Sequence, residues 1–205
     1  MSTSESENAR LFGALPMVDE EANARLHARL IAAAERDGVL DVAYRTIATP
    51  VGELLLATTG RGLIRVAYPG QGHDEVLASL AQTVSPRILR APARLDQASR
   101  QLDEYFAGRR TGFDLPLDFR LASGFRRTVL DHLPAIPYGH TESYAQVAAA
   151  AGSPKAFRAV GTACAKNPLP VVVPCHRVVH SDGTAGPYAG GPDAKLALLA
   201  LESAA

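Results

Sequence analysis

Apolar periodicity changes twice along this chain of 205 residues, which restricts it to a mixed fold built from unlike parts. Residues 19–36 are helix formers, with Ala22, Leu26, Leu30 and Ala33 giving a rough apolar face, and Gly38 stops the run. From Asp41 the pattern becomes extended. Residues 42–47, 53–58 and 63–68 are short β-branched or aliphatic runs, and Pro50-Val51-Gly52 and Gly60-Arg61-Gly62 separate them as turns. An antiparallel meander is expected there. Helical spacing returns in residues 74–83 and 92–106, and residues 113–119 read as extended. From Ser123 onward the pattern is helical. Ser123 is placed as an N-cap ahead of Phe125, Val129, Leu130 and Leu133, and the segment from Pro134 to Gly139 breaks the chain. Residues 144–151 form a short Ala-rich helix. After the Gly152-Ser153 turn, with Ser153 capping and Pro154 at the first helical position, residues 154–166 form a second helix. Helix, glycine turn, helix is the outline of a helix-turn-helix.

The expected class is therefore α/β in the α+β sense. Residues 1–40 form an N-terminal extension, partly disordered with one helix. Residues 41–119 form a small mixed α/β domain, and residues 120–205 a mainly helical domain. The first domain carries no carboxylate cluster, phosphate loop or metal spacing. With 47% hydrophobic residues, the chain can bury a substantial core.

The chemistry concentrates at Pro174-Cys175-His176-Arg177-Val178, behind Val171-Val172-Val173. The valines read as a strand or extended segment that Pro174 ends, leaving Cys175 on a turn with its thiol exposed to a partner. A thiol is a strong nucleophile only as a thiolate, and a neighbouring imidazole is the usual means of producing one. With two cysteines in all, Cys164 and Cys175, neither a disulfide framework nor a Cys-rich zinc site is expected. The N-terminus is polar and acidic without a signal region, and no run of about 18 apolar residues occurs, so a cytoplasmic chain away from membranes is expected. Net charge is zero, which gives no global drive towards nucleic acid. Between Leu121 and His180, however, six Lys or Arg residues stand against Asp131 and Glu142, a net of +4, which permits a DNA-binding face. The second helix is lined with small residues. That suits close approach to a surface such as the minor groove better than base reading in the major groove.

The stretch from Phe125 to Glu202 resembles the catalytic domain of the O6-alkylguanine-DNA alkyltransferases, the methylated-DNA–protein-cysteine methyltransferases. The residues that carry the resemblance are Pro174-Cys175-His176-Arg177-Val178, Asn167-Pro168, and the run from Lys155 to Gly161. Ile136-Pro137-Tyr138-Gly139, Ser143-Tyr144, Tyr188-Ala189-Gly190-Gly191 and the terminal helix to Glu202 add to it. Residues 41–119 resemble the family's smaller, ribonuclease H-like N-terminal domain.

The resemblance implies a DNA-repair enzyme that transfers the alkyl group of O6-alkylguanine, and of O4-methylthymine, irreversibly to its own cysteine, one molecule per lesion and without a cofactor. Cys175 would be the acceptor. His176 would draw off its proton through a water, Glu202 would orient the imidazole, and Asn167 would tie the second helix to the Cys175 turn. Tyr144 would donate to the leaving purine. Arg158 would fill the gap left by the flipped base, within a DNA-contacting set of Ala156, Ala159, Gly161, Thr162, Ser143, Ser153 and Lys155. Val178, Tyr188, Ala189 and Gly190 would line the alkylguanine pocket with Tyr144. The implied partner is double-stranded DNA carrying the lesion, bound by a monomer. Ala189 stands where many relatives have Ser or Gly, and Leu130 where many have Trp. Residues 1–119 lack the four cysteines of the adaptive-response regulators, which implies a stand-alone repair protein with no metal. Two other classes compete. An alkylated-DNA-binding module that recruits excision repair would lack the reactive cysteine, and a thiol hydrolase would hold its partners far apart in sequence.

Overall fold

The computed structural model describes residues 19–203, so the disorder expected for residues 2–8 lies outside the described residues. The chain divides after Leu40 into two units. In the first, helix α1 (Glu20–Arg36) starts at Asp19, whose carboxylate accepts from the amides of Glu21 (3.0 Å) and Ala22 (3.1 Å). Acids occupy its first turn and Arg36 its last, matching the helix dipole.

The second unit opens with β1 (Val42–Thr49), β2 (Gly52–Thr59) and β3 (Gly62–Ala67), the expected antiparallel meander. Gly62 carries φ +134°, and a Cβ there would run into the Pro116 carbonyl, so only glycine fits this turn. A fourth strand, β4 (Ile88–Arg90), pairs parallel with β1 and gives the order β3-β2-β1-β4. Three residues are too few to display a period. Leu54, Leu55 and Leu56 are all buried because both faces of the sheet are covered. One face packs Leu55, Ala57 and Ile64 against Val76 and Leu80 of α2 (His73–Thr83). The other packs Leu54, Leu56 and Val66 against Leu102 and Tyr105 of α3 (Asp96–Phe106), and this core continues into the helical part. The helix expected over 92–106 is split. Pro92–Leu95 is a 3-10 turn, and the α-helix begins at Asp96. Residues 113–119 do not extend the sheet beyond a single bridge, Leu63 to Leu117.

The helical part holds α4 (Gly124–His132), β5 (Glu142–Ser143), α5 (Tyr144–Ala150), α6 (Phe157–Ala165), β6 (Val178–Val179) and α7 (Gly191–Ser203). Ser123 stands at the N-cap of α4 but makes no capping bond there. Ser143 forms a full capping box with Gln146 on α5. The second helix begins later than expected. Residues 153–156 form a turn closed by the Ala156 amide donating to the Ser153 carbonyl (2.8 Å), and α6 starts at Phe157 with no side-chain cap. Pro154 is therefore a turn residue, compatible with the same fixed φ that suits a helix start. β5 pairs parallel with β6, Glu142 opposite Val178 and Ser143 opposite Val179, which joins the start of α5 to the residues just after Cys175.

Candidate active site

The valines before Cys175 form no strand. Val171 sits at φ +72°, the left-handed region that a β-branched residue enters at a cost of about 1–3 kcal/mol, and Val173 donates back to the Leu169 carbonyl (2.8 Å). A buried apolar run reads alike as strand or packed turn when composition is the only guide. Asn167 supplies the bonds that a neighbouring strand would have supplied. Its Oδ1 accepts from the Leu169 amide (2.9 Å), and its Nδ2 donates to the Val173 carbonyl (2.9 Å) and to Cys175 Sγ (3.1 Å). Cys175 opens a 3-10 turn, Cys175–Arg177. It is 2% exposed, not presented to solvent as the sequence suggested, because α6, α7 and the valine turn enclose it in the main core.

Burial pushes the Cys175 thiol up to about 11, against the opposing pull of the Asn167 amide and the Lys195 ammonium. His176 is fully buried, and its Nε2 lies 2.9 Å from Glu202 Oε1. Glu202 also receives Arg177 Nε at Oε2 (2.8 Å), Arg177 Nη2 at Oε1 (2.9 Å) and the Tyr105 hydroxyl at Oε1 (2.6 Å). Burial favours its neutral acid, yet the bonds from His176 and Arg177 prevail and hold the carboxyl at about 2. Burial lowers the imidazole against the pull of Glu202, so the ring is neutral near pH 7. An ionised carboxylate only accepts, so Nε2 carries the hydrogen and Nδ1 keeps its lone pair. Nδ1 has no hydrogen-bond partner among the described residues. The ring is thus a base with one side held and the other free.

Four residues of this network were given no role in the sequence reading. Arg177 ties the turn to the segment ahead of α5, with Nη1 donating to the Ile136 carbonyl (2.6 Å). Tyr105 reaches Glu202 from α3. Lys195 is buried, donates to the Val178 carbonyl (2.6 Å) and is itself lowered by burial. Tyr68, at the end of β3, bonds the Tyr188 hydroxyl (3.1 Å). Only Lys195 left a signal: it precedes Glu202 by seven residues, two turns on one helix face. The other three act through contacts distant in sequence or, for Arg177, through a fold not yet known.

A groove of ≈570 Å³ runs beside α6, lined among others by Tyr144, Arg158, Gly161, Thr162, Ala165 and His180, with Ser143 at the start of α5. Arg158, Ala159 and Thr162 are exposed and Gly161 is half-buried, while Val160, Ala163 and Cys164 face the core. Tyr144 packs against the His180 ring at 5.3 Å, burial pushes its phenol up to about 12, and its hydroxyl makes no hydrogen bond with a described residue. Gly186 is needed opposite it, because a Cβ would collide with that hydroxyl. Ser143 Oγ is engaged with Gln146 as the cap of α5. Ser153, Lys155 and Ala156 are not gathered into the groove; they line a separate open hollow with Pro154. Tyr188, Ala189 and Gly190 are half-buried, and Val178 is fully buried. Tyr188 stands edge-on to His176, ring centres 6.3 Å apart, and a Cβ on Gly190 would lie 2.5 Å from the Tyr68 ring. Among the described residues, no three His, Cys, Asp or Glu side chains group to hold a metal.

Comparison with known proteins shows the family. Residues 124–204 match the family described as 6-O-methylguanine DNA methyltransferase, DNA binding domain, and residues 42–119 match its ribonuclease-like domain. The methylated-DNA–protein-cysteine methyltransferase of Mycolicibacterium paratuberculosis is 42% identical over 167 residues, covering 78% of this chain and 92% of its own. The constitutive enzyme of that name from Bacillus subtilis is 41% identical over 160 residues, covering 78% and 94%. The structure of Mycobacterium tuberculosis O6-methylguanine methyltransferase superposes with a TM-score of 0.70 at 39% identity, covering 80% of this chain and 93% of that one. The M. tuberculosis OGT structure in complex with DNA gives 0.68 at 40% identity, covering 79% and 93%.

Proposed function

The chain belongs to the 6-O-methylguanine DNA methyltransferase family, which repairs alkylated DNA by direct transfer to a protein cysteine, and from that premise we propose that Cys175 is the acceptor and O6-alkylguanine in duplex DNA the substrate. In the transfer, the S–C bond forms as the C–O6 bond breaks. The electron pair of that bond passes to the purine, and the thiol proton would pass through a water to His176 Nδ1. The Tyr144 hydroxyl, bonded to no described residue, would give its proton to the departing guanine, so charge does not build up on the base. The proton on His176 then restores the phenol, leaving a thioether and a neutral guanine. The high thiol value of the resting site fits a nucleophile that ionises only as the substrate arrives.

The observation that carries this reading is the one-sided imidazole: Nε2 fixed on a carboxylate held ionised by His176 itself and by Arg177, Nδ1 without a partner among the described residues, in the residue next to the thiol. The small, exposed face of α6 supports seating in the minor groove. Arg158, exposed at its N-terminal turn, would enter the stack once the base is flipped. No described residue beside Cys175 offers a means of cleaving a thioether, so the protein would act once; a monomer is the proposed state.

Intact-protein mass after incubation with an O6-methylguanine duplex tests the acceptor. A gain of one methylene per molecule, absent in Cys175→Ser, is expected. Tight binding with no mass gain would make the chain a lesion-binding module instead, and repeated turnover per molecule would contradict suicide transfer.

A further inference from the structure

A second cavity, of ≈430 Å³, opens beside the C-terminal end of α6, between β3, α2 and the start of α4. Ala165 lines both this cavity and the groove, so the two are neighbours along one helix. Three cations meet in it: Arg65 from β3, Arg126 from α4 and Lys166 at the C-cap of α6. Glu75 is the one carboxylate in the lining, and it pairs with none of them. The chain has 21 basic and 21 acidic residues, so this imbalance is local. Several arginines elsewhere hold a carboxylate, among them Arg45, Arg87, Arg110, Arg120, Arg127 and Arg177, whereas neither Arg65 nor Arg126 forms an ion pair with a described residue. Arg65 is half-buried, and its side chain makes no hydrogen bond or ion pair with a described residue. Arg126 gives Nη2 to the Leu121 carbonyl (2.6 Å), while its Nε is buried without a partner. Cations gathered at a half-buried site repel one another and lose hydration, and an anion in their midst reverses both penalties.

We propose that Arg65, Arg126 and Lys166 seat a phosphate of the DNA backbone, carrying the duplex contact from α6 onto the β-sheet of the N-terminal part. The guanidinium forks suit phosphate oxygens, and the Ser79 hydroxyl in the same lining offers a further donor. Continuity with the groove selects a backbone phosphate of the bound duplex as the occupant. The inference rests on the reading that α6 lies against that duplex.

Salt-dependent binding of the full chain to an undamaged duplex tests the seat. Arg65→Gln is expected to bind about fivefold more weakly at roughly 0.15 M salt, and to flatten the slope of log affinity against log salt by about 0.9, the loss of one phosphate contact. Arg65→Lys keeps most of both. The melting temperature of Arg65→Gln stays level or rises, since no ion pair is lost. An unchanged affinity and slope overturns the seat, as does a fall in melting temperature without a change of slope. Thr162→Glu, on the exposed face of α6, separates the two ideas. Weak binding by Thr162→Glu beside normal binding by Arg65→Gln removes the phosphate seat alone. Normal binding by both removes the α6 reading as well.

Discussion

The Cys175 turn and helix α6 adjoin in sequence and treat their polar groups in opposite ways. Around the turn almost every polar group is committed. Asn167 makes three bonds, and Glu202 collects His176, Arg177 and Tyr105, all buried. Along α6 the outward residues make few polar commitments: Ala159, half-buried Gly161 and Thr162 offer little bulk, and the Arg158 guanidinium, 5.8 Å from the Phe157 ring centre, holds no carboxylate among the described residues. A reacting atom needs its partners fixed before the substrate comes, whereas a surface for a long polymer needs room and unspent charge. Stability should therefore reside in the turn and affinity in the helix.

The strongest way to break that division is Glu202→Gln. It leaves the buried Arg177 without its counter-charge, which costs about 3–5 kcal/mol, and it turns one of the two acceptor oxygens shared by His176 and Arg177 into a donor, so the charged hold on the imidazole is lost. A large fall in melting temperature and loss of alkyl transfer are expected. The double variant Glu202→Leu/Arg177→Met should recover most of the stability and none of the transfer, and recovery of both would show that the carboxylate acts only as a structural partner. The same network sets the acid limit. Both folded-state values are depressed, so both groups contribute stability at higher pH and lose it as pH falls. Unfolding in acid should begin below pH 6.5, where the unfolded histidine takes its proton, and steepen below 4.5 as unfolded Glu202 does. Glu202→Gln should flatten the lower limb.

Arg158→Ala comes next in size and probes the other side. It should slow repair of duplex DNA tenfold or more, because flipping a base costs a few kcal/mol that the inserted side chain offsets. Transfer from a free O6-alkylated base should be much less affected. Equal slowing on both substrates would reject the finger role.

Tyr68→Phe is a smaller perturbation and probes the support that the sheet gives to the side of the Cys175 turn. It removes the bond to the Tyr188 hydroxyl while keeping the edge-on ring contact, at 5.6 Å between centres. A loss of about 1 kcal/mol is expected. A severalfold slower transfer in duplex should accompany it, since Tyr188 stands beside His176. Normal transfer at reduced stability would confine Tyr68 to packing.

What the sequence disclosed divides along the same line. Local structure was legible: the turns at Pro50-Val51-Gly52 and Gly60-Arg61-Gly62 placed the meander, and Pro174 ahead of Cys175 and His176 placed a turn there. Features that depend on distant contacts were not. Val171 to Val173 carries strand composition, but Asn167 and the surrounding core hold it as a strained turn. β4 exists because β1 offers a free edge to three residues. Arg177 stood in plain view beside His176, yet its partner lies 25 residues away on α7. Arg65 reads as an ordinary strand residue until the fold sets it beside Arg126 and Lys166.

The smallest expected effect, Cys164→Ala, sharpens the comparison by using the same side chain in both settings. Cys164 and Cys175 are both buried, at 5% and 2% exposure, and burial raises both thiols. They differ in their neighbours. Cys175 receives the Asn167 amide at 3.1 Å, whereas Cys164 has no hydrogen-bond donor among the described residues, and its thiol is pushed further up. Cys164 fills the core-facing side of α6, where one sulfur contributes about 1 kcal/mol of packing. Alanine there should lower the melting temperature slightly and leave alkyl transfer per molecule unchanged, as read by intact mass. If Cys164→Ala folds normally and transfers nothing, reactivity does not follow the donor at Cys175, and the assignment of the acceptor has to be reopened.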